Sequence, residues 1–172
     1  MRNLLLVTIA AGFLLPAPAA AQTADAWSDF RFLLGNWVGV GKGSPGEGSG
    51  SFSFELTLDG NALIRKSHSE YPATKDRPAA VHEDLMVIYR EGGAPKALYV
   101  DNEKHVIHYD VTVAASPRTV TLTSPVVPNA PRYRFVYTVV DGATVKGRFE
   151  VAPPDKPEAF ATYVEGDAKK VK

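Results

Sequence analysis

The chain has 172 residues, with 19 Lys or Arg balanced by 19 Asp or Glu, and it contains no cysteine. This length allows one ordinary domain. The balanced charge argues against a nucleic-acid-binding protein, which needs a basic surplus to displace the counterions around phosphates. The lack of cysteine excludes disulfide frameworks, thiolate zinc sites, iron–sulfur clusters and cysteine nucleophiles. The composition therefore predicts a soluble globular domain that depends on its core for stability.

Residues 1–21 have the features of a secretory signal peptide. Arg2 precedes an apolar run over residues 4–15, and three successive alanines supply the small residues that a signal peptidase reads. The run is shorter than the roughly 20 residues of a membrane-spanning helix. We therefore expect cleavage before Gln22, no membrane anchor, and a periplasmic or secreted product with one domain over residues 22–172.

A short helix followed by many strands is predicted for the rest of the chain. Apolar residues recur at spacings of three and four within residues 25–34, which favours one buried helix face. From residue 36 onward, period-two alternation and turn residues predict about ten strands. The predicted strands cover residues 36–42, 52–58, 62–71, 81–90, 96–100, 104–113, 118–123, 132–140, 144–151 and 159–165. The final residues, 169–172, are expected to fray.

The turns between these strands are short, and this favours hairpins between neighbours in the chain. Asp141-Gly142 is the clearest turn, because glycine accepts the positive φ of a tight hairpin. Ten strands in an open sheet would expose long edges, which closure removes. We therefore predict an all-β fold, a closed antiparallel up-and-down barrel, with a two-sheet sandwich as the alternative. A barrel of this size can hold a small ligand.

A glycine and tryptophan motif marks the first strand. Residues 35–41 read G-N-W-V-G-V-G, which is G-x-W-x-G-x-G. Trp37 can plug one end of a barrel, whereas Gly39 and Gly41 put no side chain on the same face. The motif therefore predicts a closed end at Trp37, and space beside the two glycines for backbone or a planar ligand.

This motif, together with the sequence F-L-L-G at residues 32–35, resembles the nitrobindins, small ten-stranded barrels of the lipocalin-like (calycin) group. The resemblance implies an antiparallel barrel with an apolar cavity. In the best-known nitrobindins it also implies a haem at the motif, bound by a histidine near the carboxyl terminus. This chain has no histidine after His108, and Tyr163 is a residue type that ligates iron in some haem proteins. The cofactor is therefore left open.

Three histidines each precede a carboxylate by two residues, so both members of each pair share one face of a strand. The pairs are His68 with Glu70, His82 with Asp84, and His108 with Asp110. If the strands are neighbours and these faces turn inward, His68, His82 and Glu83 are candidates to bind a metal or transfer protons. The alternatives are a polar cavity lining and solvent-facing pairs.

The strand predicted at residues 104–113 separates two other candidates. His105 shares its inner face with Ile107 and Tyr109, whereas His108 faces outward. Despite their H-x-x-H spacing, His105 and His108 therefore cannot chelate one metal without a bulge. This assigns His105 to the ligand-facing set and His108 to the surface.

Aromatic and basic residues complete the candidate ligand site. Tyr133, Phe135 and Tyr137 alternate along one face of a strand, which indicates core packing or stacking against a planar ligand. Arg65 is a candidate anchor for an anionic head group. The predicted ligand-binding residues are Trp37, Gly39, Gly41, Phe54, Arg65, His68, His105, Ile107, Tyr109 and Tyr137.

These observations favour an exported barrel that holds a small apolar or amphipathic molecule. The alternative is a haem- or metal-dependent enzyme that uses the histidine and carboxylate cluster. A third interpretation assigns partner contact to the proline-rich loop at residues 125–131. The sequence has no nucleophile elbow, phosphate loop or dinucleotide fingerprint.

Overall fold

The computed structural model describes residues 25–171. The predicted signal peptide, residues 1–21, lies outside the described residues. A 3₁₀-helix at Ser28–Leu33 is followed by ten strands. The strands are β1 (Gly35–Gly43), β2 (Gly48–Thr57), β3 (Ala62–Tyr71), β4 (Ala80–Glu91), β5 (Ala94–Asp101), β6 (Val106–Ala115), β7 (Arg118–Thr123), β8 (Arg132–Val139), β9 (Thr144–Ala152) and β10 (Ala161–Lys170).

All ten strands form one closed barrel. Each strand pairs antiparallel with its neighbours in the chain, and β1 pairs with β10 to complete the ring. This arrangement confirms the predicted up-and-down barrel and excludes the two-sheet sandwich. Closure satisfies the backbone hydrogen-bonding groups that an open sheet would expose at its edges.

The carboxyl-terminal strand is longer than the sequence pattern predicted. Trp37 pairs with Lys170 in the register between β1 and β10, and the Val171 backbone N–H donates to the Asn36 carbonyl at 2.8 Å. The expectation that the last residues fray is therefore wrong for residues up to 171. These residues pair with β1 and so close the barrel. No local alternation of residue types in this segment predicts that pairing.

Two turns also differ from their predictions. Lys104 has a φ of 75°, so the chain is still turning there and β6 begins at Val106. The β8–β9 hairpin forms at Asp141-Gly142, but Gly142 is not among the residues with positive φ. The Asp141 side chain accepts the Ala143 N–H at 2.8 Å, which stabilises the turn without a left-handed glycine.

One end of the barrel is closed by the 3₁₀-helix and Trp37. Phe30 and Leu33 of the helix are buried in the core with Trp37. The Trp37 Nε1–H donates to the Leu33 carbonyl at 2.7 Å, which ties β1 to the helix. The Trp27 Nε1–H likewise donates to the Gly60 carbonyl at 2.7 Å. The predicted plug at Trp37 is therefore confirmed.

The glycines of β1 allow strands to approach closely. A Cβ at Gly39 would clash with the Asp167 carbonyl oxygen and lie 2.9 Å from the Ala168 Cα of β10. A Cβ at Gly41 would lie 3.2 Å from the Glu165 carbonyl oxygen. The motif predicted space beside these glycines for either backbone or a planar ligand, and the structure shows close approach of backbone. This approach lets β1 and β10 bend where the ring closes.

The opposite end of the barrel carries longer connections. The β1–β2 turn, the β3–β4 loop and the β5–β6 turn lie there, together with residues 124–131 and 153–160. No helix within residues 25–171 has the length and apolar character to cross a membrane.

Candidate functional site

A large cavity occupies the half of the barrel opposite the Trp37 plug. Its volume is about 610 Å³, within the usual range for small-molecule sites. Residues from the β1–β2 turn, the β3–β4 loop and the β5–β6 turn line it, so it reaches the end of the barrel. The lining consists of Ser44, Pro45, Arg65, Ser67, Ser69, Tyr71, Arg77, Ala80, Val81, His82, Asp84, Tyr99, Asp101, Glu103, His105, Ile107, Tyr133, Phe135, Phe149, Val151, Tyr163 and Val164.

A second cavity of about 150 Å³ adjoins the first on the side of β1 and β10. Gly39, Gly41, Gly147 and Gly166 are part of its wall. The two cavities share seven lining residues, which makes them neighbouring compartments of one interior. The shared residues are Arg65, Ser67, Ser69, Tyr71, Phe135, Phe149 and Val164.

Arg65 lies at the boundary between the two compartments. Its guanidinium Nη1 donates to Asp84 Oδ1, and the two side chains are only 7% and 3% exposed. Although burial opposes the charge, the neighbouring Asp84 carboxylate holds the pKa of Arg65 above its usual value. The Arg65 Nε is buried without a hydrogen-bond partner among the described residues. One charged donor therefore remains free in the barrel interior.

Aromatic rings surround this guanidinium. The Arg65 Cζ lies 5.5 Å from the ring centroids of both Phe52 and Phe135, a distance at which cation–π attraction operates. Phe135 also stacks on Tyr137, with centroids 6.1 Å apart. Burial raises the pKa of Tyr137 to about 12. Its hydroxyl is therefore protonated near neutral pH; it makes no hydrogen bond of good geometry among the described residues, and the nearby Arg65 side chain acts to lower its pKa.

A polar network lies at the mouth of the large cavity. His82 Nε2 is 3.0 Å from the Tyr99 hydroxyl, and that hydroxyl donates to Asp101 Oδ2 at 3.2 Å. On the other side of the ring, His82 Nδ1 is 3.3 Å from Glu103 Oε1. His105 Nδ1 is 2.8 Å from Asp101 Oδ2. Two imidazoles and two carboxylates therefore meet where the cavity reaches solvent.

Asp101 organises this network from the end of β5. Its Oδ1 accepts the backbone N–H groups of Glu103 and His105, at 3.0 and 2.9 Å. Burial opposes its ionisation, but the hydrogen bonds from His105 hold the pKa of Asp101 below its usual value. The carboxylate is therefore charged and fixed in orientation at neutral pH.

The ten residues predicted for ligand binding fall into three groups: six line a cavity, three are packed in the core, and one lies on the outer face. Gly39, Gly41 and Tyr137 line the small cavity, His105 and Ile107 line the large one, and Arg65 lines both. Trp37, Phe54 and Tyr109 are packed in the core and line neither cavity. His68 lies on the outer face of the barrel, with a side chain that is 43% exposed. A ligand in the interior can thus reach six of the ten.

The structure corrects the proposed metal set of His68, His82 and Glu83. His68 pairs with Glu83 in the β3–β4 register, and both point outward. His82 precedes Glu83 on β4, so the pleat turns it inward to the cavity. The three side chains are on opposite sides of the wall and cannot bind one ion.

Several residues of the mouth were not singled out from the sequence as a group. These are Tyr99 and Asp101 of β5 and Glu103 of the β5–β6 turn, which lie beside His82 of β4. Asp101 and Glu103 read as ordinary turn residues, because the sequence of a turn does not show which side chains face a cavity. The inward position of Asp84 could have been predicted from the sequence, because Asp84 shares a strand face with Met86 and Ile88. Both of these residues are fully buried.

Similarity to known proteins is found at the level of structure. No protein-family model matches the sequence, and no curated protein matches it. The crystal structure of Rv2717c from M. tuberculosis is similar, with a TM-score of 0.62 and 13% identity over 87% of this chain and 99% of that chain.

Two further solved structures are similar at lower scores. A de novo designed fluorescence-activating β-barrel has a TM-score of 0.43 and 12% identity, over 87% of this chain and 100% of that chain. The structure of EF1p2_mFAP2b bound to DFHBI has a TM-score of 0.41 and 8% identity, over 83% and 97%. At such low identity, the similarity to Rv2717c shows the fold alone, which is a closed ten-stranded β-barrel.

Proposed function

We propose that the barrel binds a small amphipathic molecule in its interior. The observation that carries this proposal is the cavity of about 610 Å³, which has Arg65 at its inner boundary and a polar network at its mouth. Small-molecule sites are typically concave, with apolar walls and a few placed polar groups. Phe135 and Phe149 supply aromatic wall, and Arg65 supplies the polar group.

The charges in the interior favour an uncharged ligand. Asp84 neutralises Arg65, so the pair offers a donor without an uncompensated positive charge. The Arg65 Nε and the Tyr137 hydroxyl are both buried, and neither makes a hydrogen bond of good geometry in the described part of the chain. A ligand with an aromatic body and an uncharged acceptor such as a carbonyl satisfies them, because it adds no net charge to the interior.

We also propose a relationship to the nitrobindins. The F-L-L-G and G-x-W-x-G-x-G sequences, which lead from a short helix into the first strand of a ten-stranded ring, support it. The residues do not fit a histidine-bound haem at the motif. Within residues 25–171, no histidine lines the small cavity to which Gly39 and Gly41 belong. A haem-dependent step is therefore not part of the proposed function.

Export is part of the same proposal. The charge, apolar run and small residues of residues 1–21 support it. Expression with the native amino terminus in a bacterial host, followed by amino-terminal sequencing of the periplasmic fraction, tests it. A mature chain that begins at Gln22 is expected, and retention of the uncleaved chain in the cytoplasm would contradict export.

Titration with N-phenyl-1-naphthylamine tests ligand binding, because this neutral aromatic dye brightens in apolar surroundings. A Ser67→Phe variant places a ring in the space between the two cavities. Thr112→Phe on the exposed face of β6 is the control. We expect the dye to bind the native chain and Thr112→Phe alike, and Ser67→Phe at least tenfold more weakly.

Circular dichroism and thermal melting establish that both variants are folded before the comparison. Equal dye affinity in native protein and folded Ser67→Phe would place the dye elsewhere and overturn the proposal. Absence of saturable dye binding, and of binding by other neutral aromatic probes, would do the same.

A further inference from the structure

We infer that the mouth of the large cavity is a binding site for a divalent transition-metal ion such as Zn²⁺. One ligand atom each from His82, Asp101 and Glu103 lie within 4.8 Å of one another. These residues come from β4, from the last position of β5 and from the β5–β6 turn, at the open end of the barrel. The inference is independent of the proposed organic ligand, because it concerns the ion alone.

The distances suit a small ion. His82 Nδ1 and Glu103 Oε1 are 3.3 Å apart. In a tetrahedral zinc site with bonds of about 2.1 Å, neighbouring ligand atoms are separated by roughly 3.4 Å. The exposed Glu103 side chain can adjust to complete the site, whereas Asp101 and His82 are held by other contacts.

Those contacts orient the ligands as the outer shell of a metal site does. Backbone N–H groups of the turn occupy Asp101 Oδ1, which leaves Oδ2 directed into the cluster. The Tyr99 hydroxyl lies 3.0 Å from His82 Nε2, so it can accept a hydrogen bond from the Nε2–H while Nδ1 binds an ion. Tyr99 also donates to Asp101 Oδ2, which joins the two ligands through one hydroxyl.

His105 lies beside the three ligand groups, outside the set whose ligand atoms all lie within 4.8 Å of one another. Its Nδ1 is 2.8 Å from Asp101 Oδ2 and 4.0 Å from Glu103 Oε2. An imidazole among the ligands favours Zn²⁺, Co²⁺ or Fe²⁺, whereas Ca²⁺ and Mg²⁺ prefer oxygen ligands alone. Three protein ligands leave the fourth tetrahedral position to water.

The charges at the mouth of the large cavity also favour binding of a cation there. Among the described residues, every ion-pair partner of Asp101 and Glu103 is a histidine. Of the two arginines of the cavity, Arg65 binds Asp84, and Arg77 lies against the ring of Tyr71 and forms no ion pair with either carboxylate. The Asp101 side chain is 3% exposed, so solvent does little to stabilise its charge. A divalent ion would compensate both carboxylates.

The outer face of the barrel provides a matched comparison. His68 Nε2 is 3.0 Å from Glu70, and His68 Nδ1 is 3.1 Å from Glu83. The two carboxylates lie on opposite sides of one imidazole ring, so no single ion can contact all three groups. The outer face therefore has the same residue types, but their ligand atoms do not point toward one common position.

Metal titration of the full chain tests the inference. The purified protein is treated with EDTA, dialysed, and titrated with Zn²⁺ by calorimetry and with Co²⁺ by visible absorption. We expect one ion per chain and a Co²⁺ spectrum with intense d–d bands, typical of a tetrahedral site with nitrogen ligands. His82→Gln and Glu103→Gln should each weaken binding at least tenfold, whereas His68→Gln and Glu83→Gln should leave it unchanged.

Glu103→Gln changes an exposed side chain, so its loss of binding cannot be attributed to unfolding, and thermal melting confirms this. Failure to bind either ion at micromolar concentration would overturn the inference. Equal weakening in the His68→Gln or Glu83→Gln chain would also overturn it, since binding would then be a property of any surface histidine.

Discussion

Arg65 and Asp84 form an ion pair inside the barrel, where their side chains are 7% and 3% exposed. They are diagonal neighbours on paired strands, because Arg65 lies opposite Met86 and Asp84 lies opposite Ser67. Arg65 was expected to face an anionic ligand, but the protein supplies its own carboxylate. The pair therefore makes the interior polar without giving it a net charge.

Removal of one partner of this pair should destabilise the fold strongly. Arg65→Met leaves the buried Asp84 carboxylate with His82 Nε2, 3.7 Å away, as its remaining ion-pair partner, so we expect the free energy of unfolding to fall by about 3–5 kcal/mol. Urea denaturation measures this change. The Arg65→Met/Asp84→Leu double variant should recover most of the loss, because it removes both charges. A single variant as stable as the native chain would show that Asp84 has another counter-ion or takes up a proton at little cost.

Gly39 should not tolerate a methyl group. The added Cβ of Gly39→Ala would clash with the Asp167 carbonyl, so β1 and β10 must separate, and we expect a loss of about 1–3 kcal/mol in unfolding free energy. Gly142→Ala is the control, because a Cβ there meets no atom within 4 Å. Equal stability of the two variants would mean that the barrel seam moves freely.

Two tyrosine hydroxyls should respond oppositely to removal. Tyr99→Phe loses the bonds to His82 and Asp101, and we expect a cost of about 0.5–1.5 kcal/mol. Tyr109→Phe removes a buried hydroxyl that has no partner among the described residues, so its stability should equal or exceed that of the native chain. Thermal denaturation of both variants at one pH provides the comparison. A larger loss in Tyr109→Phe than in Tyr99→Phe would contradict this assignment.

The contribution of His68 should depend on pH. Hydrogen bonds to Glu70 and then Glu83 raise the pKa of His68 above its usual value. The protonated form is therefore stabilised by folding, so the contribution is fully present below about pH 6.5 and is lost as pH rises through the folded-state pKa. Urea unfolding of native protein and His68→Gln should show a larger stability difference at pH 5.5 than at pH 8.5.

His108→Gln is the control for this measurement, because His108 forms no ion pair in the described part of the chain. Its effect should be the same at both values of pH. If the His68→Gln difference instead grew toward pH 8.5, the two glutamates would not be the partners that matter.

Local sequence signals were enough to predict the barrel, its number of strands and the position of its plug. Period-two alternation and turn residues located β3 and β7 at the bounds that the structure shows. Trp37 was identifiable as a plug because a large aromatic residue stood between glycines after a short apolar helix. The extension of β10 to Lys170 was missed, since its partner on β1 is more than a hundred residues away in the chain.

Which side chains face the cavity, and which of them meet there, depends on the assembled barrel. Along β3, neither face was cleanly apolar, so local alternation could not place Arg65 inside and His68 outside. The neighbours of His82 come from the end of β5 and the turn after it, and only the register of β4 with β5 brings Asp101 and Glu103 beside His82. Side-chain alternation is a property of one strand, whereas a site is a property of several strands in register, and barrel closure fixes that register.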